Sequence, residues 1–193
     1  MDLFEKYLAK REKSTLVKRA LTDRSYKKES QEKKGKTLPK DETNEDLATY
    51  GDAVIKLGYL EILLDKVEQP SKDKQEVESD EFFVTKIARH YKLLDHILTD
   101  SSDEMIVRDY DYEPKDNPEG KENPEEKNDS KEKKEPKKSN AKNPHKYIAT
   151  AVEAMIGAIY IEEDKKLEPI IELLTEWIEN KDAWTNNDQG LSK

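Results

Sequence analysis

Residues 44–64 read NEDLATYGDAVIKLGYLEILL, a long apolar-periodic run with a start signal in front of it. Thr43 or Asn44 can cap a helix here, and Glu45 and Asp46 suit the positive end of its dipole. Leu47, Tyr50, Val54, Leu57 and Leu64 recur at helical spacing, which predicts one buried face. Gly51 sits in the middle, where glycine costs about 1 kcal/mol relative to alanine. Close packing against a neighbouring helix would account for it. Asp52 follows directly, two turns along the same face from Glu45, with Ala48 between them. An acidic stripe on an otherwise apolar helix is the first candidate for chemistry.

The second candidate lies in residues 146–161, KYIATAVEAMIGAIYI. Small and apolar residues dominate, with Gly157 inside, so this reads as a buried helix in close contact with a neighbour. Glu153 is the only charge between Tyr147 and Ile161. An isolated charge in such a helix is costly unless it is paired or binds a metal. Two buried helices therefore offer Glu45, Asp52 and Glu153. Oxygen ligands of this kind suit Mg²⁺ or Mn²⁺, which keep several waters and bind phosphates. The plainer alternative stays open: Asp52 caps or salt-bridges, and Glu153 pairs with a lysine.

The remaining chain surrounds these two helices. Residues 1–13 predict a short amphipathic helix with Leu3, Phe4, Tyr7 and Leu8 inward. Ser14 or Thr15 caps a second, with Leu16, Val17, Ala20 and Leu21 inward. Residues 27–43 are lysine-rich and contain Gly35 and Pro39, which marks a loop. It is either a solvated connector or a basic lip that touches phosphates. Residues 76–99 return to helical spacing through Phe82, Phe83, Ile87, Tyr91, Leu94, Ile97 and Leu98. Residues 112–143 are almost free of apolar side chains and read as a mobile insertion, too polar to offset the entropy of ordering. Pro169 fits the first turn of a last helix with Ile170, Ile171, Leu173, Leu174, Trp177 and Ile178 inward. The predicted class is all-α: a domain over 1–180 and a frayed tail over 181–193.

Composition bounds the function. Of 193 residues, 41% are charged and 33% hydrophobic, and the net charge is −9. That balance argues against general nucleic-acid binding, since phosphate affinity comes from clustered lysine and arginine. It leaves room for 35 Lys and Arg to gather on one face. The absence of cysteine excludes disulfides, thiolate metal sites and thiol nucleophiles. His90, His96 and His145 lack the spacing of a zinc site. No run approaches the roughly 18 apolar residues of a membrane span. Residues 1–14 mix acids and bases with no apolar signal region, which gives a cytoplasmic expectation.

Four words of this sequence resemble the ribonuclease III catalytic domain. LVKRALTDRSY at 16–26 is similar to that family's L-x-x-A-L-T-H-R-S-Y, with Asp23 in place of the histidine. NEDLATYGDAV at 44–54 resembles N-E-R-L-E-F-L-G-D-A-V. FFVTKIARHYKLLDHIL at 82–98 is similar to the family's middle helix. ATAVEAMIGAIY at 149–160 resembles A-D-x-x-E-A-x-x-G-A-x-Y. The resemblance implies a helical endonuclease domain that forms a homodimer and cuts double-stranded or structured RNA with Mg²⁺, leaving 5′-phosphate and 3′-hydroxyl ends. It makes Asp52 and Glu153 metal ligands and Glu45 a supporting acid that orients a metal-bound water. Asn44 and Thr150 are further support. Two of the four family acids are replaced, by Ala48 and Thr150. The compact branch called mini-ribonuclease III shows this same Ala and Thr pattern in its active-site words. The resemblance provides no double-stranded RNA-binding domain after residue 180. RNA grip would then fall to Arg24, Lys27, Lys28 and the lip residues Lys33, Lys34 and Lys36, strongly dependent on salt. The missing acids support an alternative, a catalytically silent domain of this fold that binds RNA or a ribosome.

Overall fold

The computed structural model describes residues 1–26, 40–64, 75–99 and 146–185. The lysines at 27, 28, 33, 34 and 36, His145, the insertion read over 112–143 and the end of the tail lie outside these residues. The described residues are helical, as the periodicities predict. We number the main helices α1 (Leu3–Leu8), α2 (Thr15–Ala20), α3 (Glu45–Leu64), α4 (Asp80–Phe82), α5 (Lys146–Glu162) and α6 (Glu168–Asn180).

The central pair is α3 crossing α5. Gly51 is required at that crossing. A methyl group there would overlap the carbonyl oxygen of Glu153 and lie 2.7 Å from its carbonyl carbon and 2.9 Å from the Gly157 nitrogen. Gly157 returns the contact: a methyl there would overlap the Leu47 carbonyl oxygen and stand 3.2 Å from the Gly51 nitrogen. Two glycines thus bring two backbones together, which side chains of any size would keep apart. Around the crossing, Ile148, Ala151, Val152, Met155, Ile156 and Ile159 of α5 are wholly buried.

The shorter helices close over this pair. Asp2 caps α1, its Oδ1 accepting from the Glu5 amide at 2.9 Å. Ser14 caps α2, its Oγ accepting from the Val17 amide at 3.1 Å. Phe4 of α1 packs between Tyr91, 4.5 Å between ring centroids, and Trp177 of α6, 5.7 Å. Asp2 Oδ2 accepts from the Tyr91 hydroxyl at 2.7 Å, and that hydroxyl accepts from Trp177 Nε1 at 3.1 Å. The turn between α5 and α6 places Asp164 and Lys165 in the left-handed region, at φ 55° and 60°. Pro169 sits in the first turn of α6 as its fixed φ predicts.

Three details differ from the periodic reading. The 76–99 stretch is not one helix. After α4 it widens into a π-helical segment, Phe83–Ala88, then breaks at Lys92 (φ 49°) before a 3₁₀ turn, Leu93–Asp95. Leu98 then leaves helical structure and forms a single β-bridge with Thr22. Its amide donates to the Leu21 carbonyl at 2.7 Å, and its carbonyl accepts from the Asp23 amide at 2.8 Å. After α6 a 3₁₀ turn, Ala183–Thr185, carries Trp184, which stacks on His90 at 4.2 Å and 17°; the tail after Thr185 lies outside the described residues. On α3, Leu47 and Val54 are buried, but Tyr50, Leu57 and Leu64 are 40%, 47% and 70% exposed. The apolar positions of α3 divide between two faces. The buried face is set by Leu47, Gly51, Ile55, Gly58, Tyr59 and Ile62.

Candidate active site

The α3–α5 crossing determines where the acids go. The carbonyl that meets Gly51 belongs to Glu153, and Asp52 is the next residue along α3. The two carboxylates predicted from separate helices are therefore brought to one place by main-chain contact. They line an open cleft of about 550 Å³ with Glu45, Ala48, Thr49, Asp80, Lys146 and Thr150. Ala48 and Thr150, the two positions where the resembled words have acids, both line this cleft.

Each acid has a distinct setting. Asp52 Oδ2 accepts from Lys56 Nζ at 2.6 Å, one helical turn along α3. The pair is half-exposed, and the Asp52 carboxylate holds the Lys56 ammonium above its ordinary pKa. Glu153 is half-buried. Burial, and then the negative charges of Asp52 and Asp80, push its carboxyl up to about 7; Lys56 and Lys146 oppose this weakly. Glu45 pairs with Arg24 at 3.0 Å. Arg24, read as an RNA contact, thus stands beside a cleft acid. Asn44 is buried at the start of α3; its amide donates to the Thr22 carbonyl at 3.0 Å and its side-chain Nδ2 has no partner. Asp46 is tied to Arg19, away from the cleft lining. The salt-bridge alternative for Asp52 is present, while Glu153 makes no hydrogen bond to Lys56 or Lys146 among the described residues.

The donor set is all oxygen, from carboxylates and the Thr150 hydroxyl, without imidazole or thiol. Among the described residues, no three His, Asp or Glu side chains gather tightly enough to enclose an ion. An open cleft with dispersed carboxylates matches Mg²⁺, which keeps much of its water and takes one or two carboxylates, better than zinc, which asks for a tight tetrahedron. The residues present fit a hydrated divalent cation.

Sequence reasoning did not find Asp80 or Lys146. Asp80 is brought to the cleft by tertiary packing from a separate helix, and Lys146 lies two turns before Glu153 along the same face of α5. The other histidines have structural partners: His90 stacks on Trp184, and His96 Nδ1 lies 3.0 Å from Arg11 Nη1. Burial and the nearby Arg11 charge lower the His96 pKa. No described helix is long and apolar enough to cross a membrane.

Comparison with known proteins agrees with this architecture. The ribonuclease III domain model matches residues 45–164, more than half of the 193-residue chain. The chain is similar to the crystal structure of the nuclease domain of ribonuclease III from Campylobacter jejuni. The TM-score is 0.53 at 24% identity, over 89% of each chain. A second structure of that domain, described for structural flexibility in the region involved in dimer formation, aligns with a TM-score of 0.54 at 24% identity. It covers 89% of this chain and 92% of that one. Likeness at this identity speaks for the fold. No curated protein matches the chain. With the domain match spanning both acidic helices and the cleft between them, the chain belongs to the ribonuclease III domain family and is, by that membership, an endoribonuclease.

Proposed function

We propose that the chain hydrolyses phosphodiester bonds of double-stranded RNA with Mg²⁺, or Mn²⁺ in its place, leaving 5′-phosphate and 3′-hydroxyl ends. The observation that carries this reading is the juxtaposition of Asp52 and Glu153 by the glycine crossing, in an open cleft lined with oxygen donors. Asp52 and Glu153 would hold the cation, and Glu45 and Thr150 would orient its water. A bound ion would supply an acidified water and offset charge on the scissile phosphate. Glu153 would hold it as a carboxylate, and Asp52 would hold it in place of the Lys56 ammonium from which it accepts a hydrogen bond. Lys146, in the cleft lining, would add positive charge toward the RNA phosphates. Arg24, and Lys27, Lys28, Lys33, Lys34 and Lys36 of the basic lip, would hold the RNA backbone and read A-form shape rather than sequence.

The test is cleavage of a duplex RNA in Mg²⁺ by the wild type and by Glu153→Gln. The variant should be slower by at least about a hundredfold. Equal rates would leave the second reading, an RNA-binding domain without catalysis, which draws on Ala48, Thr150 and the Asp52–Lys56 pair.

The active unit would be a homodimer. Tyr50, Leu57, Leu60 and Leu64 are 40–70% exposed along one face of α3, and a second copy would cover them. Sedimentation at micromolar concentration should give twice the chain mass; a stable monomer would exclude this assembly.

A further inference from the structure

Two arginines of the segment 16–26 pair with acids at the start of α3, and they are held differently. Arg19 Nε donates to the Thr43 carbonyl at 3.0 Å and its Nη2 donates to Asp46, and the side chain is only 19% exposed. The Arg24 side chain makes one polar contact among the described residues, from Nη1 to Glu45 Oε1 at 3.0 Å, and it is 66% exposed. The first pair is built into the fold. The second joins a solvent-facing guanidinium to an acid of the cleft lining.

The main chain around Arg24 is fixed. The Asp23 amide donates to the Leu98 carbonyl at 2.8 Å, and the Ser25 amide donates to Asp23 Oδ1 at 2.8 Å. Ser25 Oγ lies 3.0 Å from Thr99 Oγ1. The Asn44 amide donates to the Thr22 carbonyl at 3.0 Å, which fastens this turn to the residue before Glu45. What can move is the Arg24 side chain. An exposed ion pair with one hydrogen bond contributes little and is readily exchanged. A phosphodiester can take a guanidinium through two parallel N–H bonds, a stronger grip than the single bond to Glu45. A phosphate at the cleft rim would therefore compete with Glu45 for the same cation.

We propose that the Arg24–Glu45 pair is an autoinhibitory contact. In the free chain Glu45 holds Arg24 back from RNA; a backbone phosphate of a bound duplex takes Arg24 over and leaves the Glu45 carboxylate to the cleft. This inference rests on the RNA-cleaving reading above.

Fluorescence anisotropy of a short end-labelled RNA duplex, without divalent ions so that nothing is cut, tests it on the wild type, Arg24→Gln, Glu45→Gln and the double variant. Arg24→Gln should weaken binding. Glu45→Gln should tighten binding, and by about threefold more with Arg24 present than in the Arg24→Gln background, the scale of an exposed ion pair. An equal gain in both backgrounds would be the general effect of removing an acid near phosphates and would overturn the autoinhibitory contact, as would no gain at all. Binding by Arg24→Gln at wild-type affinity would also overturn it. No binding of the duplex by the wild type, even at low salt, would overturn the RNA-cleaving reading as well.

Discussion

The two apolar faces of α3 are built from similar residues and meet different surroundings. The inner face carries Leu47, Gly51, Ile55, Gly58 and Ile62 and is closed against α5 and α6. The outer face carries Tyr50, Leu57, Leu60 and Leu64 and is open. What separates them is backbone access. Glycine at 51 lets α5 approach to main-chain contact on the inner side, whereas the outer side presents only side chains. Asp52 lies at the boundary, close enough to the crossing to be fixed by it and far enough out to reach the cleft. Hydrophobicity alone would not have distinguished a face that makes the fold from one left for a partner.

Breaking the inner face should have the largest effect. Gly51→Ala puts a methyl into the Glu153 carbonyl, and only separation of two helices relieves it. It should cost about 3 kcal/mol or more, visible as a lower urea midpoint. Gly58→Ala provides the control. Its methyl would meet Leu174 Cδ1 at 2.6 Å, the movable end of a flexible side chain, and alanine favours helix. Its net change should stay within about 1 kcal/mol. Equal costs for the two would refute a special backbone contact at 51.

The outer face should fail differently. Leu57→Glu with Leu60→Glu places charge where a second copy would seat, at positions where the isolated chain is already wet. Sedimentation should shift from dimer to monomer at micromolar concentration. Circular dichroism of the monomeric variant should retain the wild-type helix content. Loss of the fold instead would mean that this face contributes to the core of one chain.

The boundary should show the smallest effect, in the pH dependence of stability. The Glu153 carboxyl is raised from 4.5 to about 7 in the folded chain. Between those values the native state retains a proton that the unfolded chain has released, so stability falls as pH rises across the window and the loss is complete above it. Glu153→Gln has no charge to bury. Without divalent ions it should melt above the wild type at pH 8, by on the order of 3 °C, with the advantage gone near pH 4.5. Parallel melting curves for the two proteins would show that Glu153 is not strained by its setting.

Much of this was legible because helix caps and glycines act locally. Ser14, Pro169 and Gly157 each predict what they do, and Gly51 announces a close neighbour, though not which carbonyl it meets. Asp52 and Glu153 stood out as charges within apolar helices. Asp80 did not, because it lies in a polar stretch where an acid needs no explanation, and only the folded chain turns it toward the cleft. The break at Lys92 was hidden for a related reason. Leu93, Ile97 and Leu98 keep apolar spacing across it, and the pairing of Leu98 with Leu21 and Asp23 depends on residues some seventy-five positions away. The outward turn of Tyr50 and Leu57 was unreadable from periodicity, since a helix with two apolar faces satisfies the same pattern.

The contact that aligns the two acid-bearing helices is made by main-chain atoms, Gly51 against the carbonyl of Glu153 and Gly157 against that of Leu47. Side chains at 48 and 150 take no part in it. The domain therefore behaves as a fixed frame with exchangeable fittings: a library varied at Thr49 and Thr150, which line the cleft without being buried, would change the polar groups of the cleft without altering the alignment of the frame.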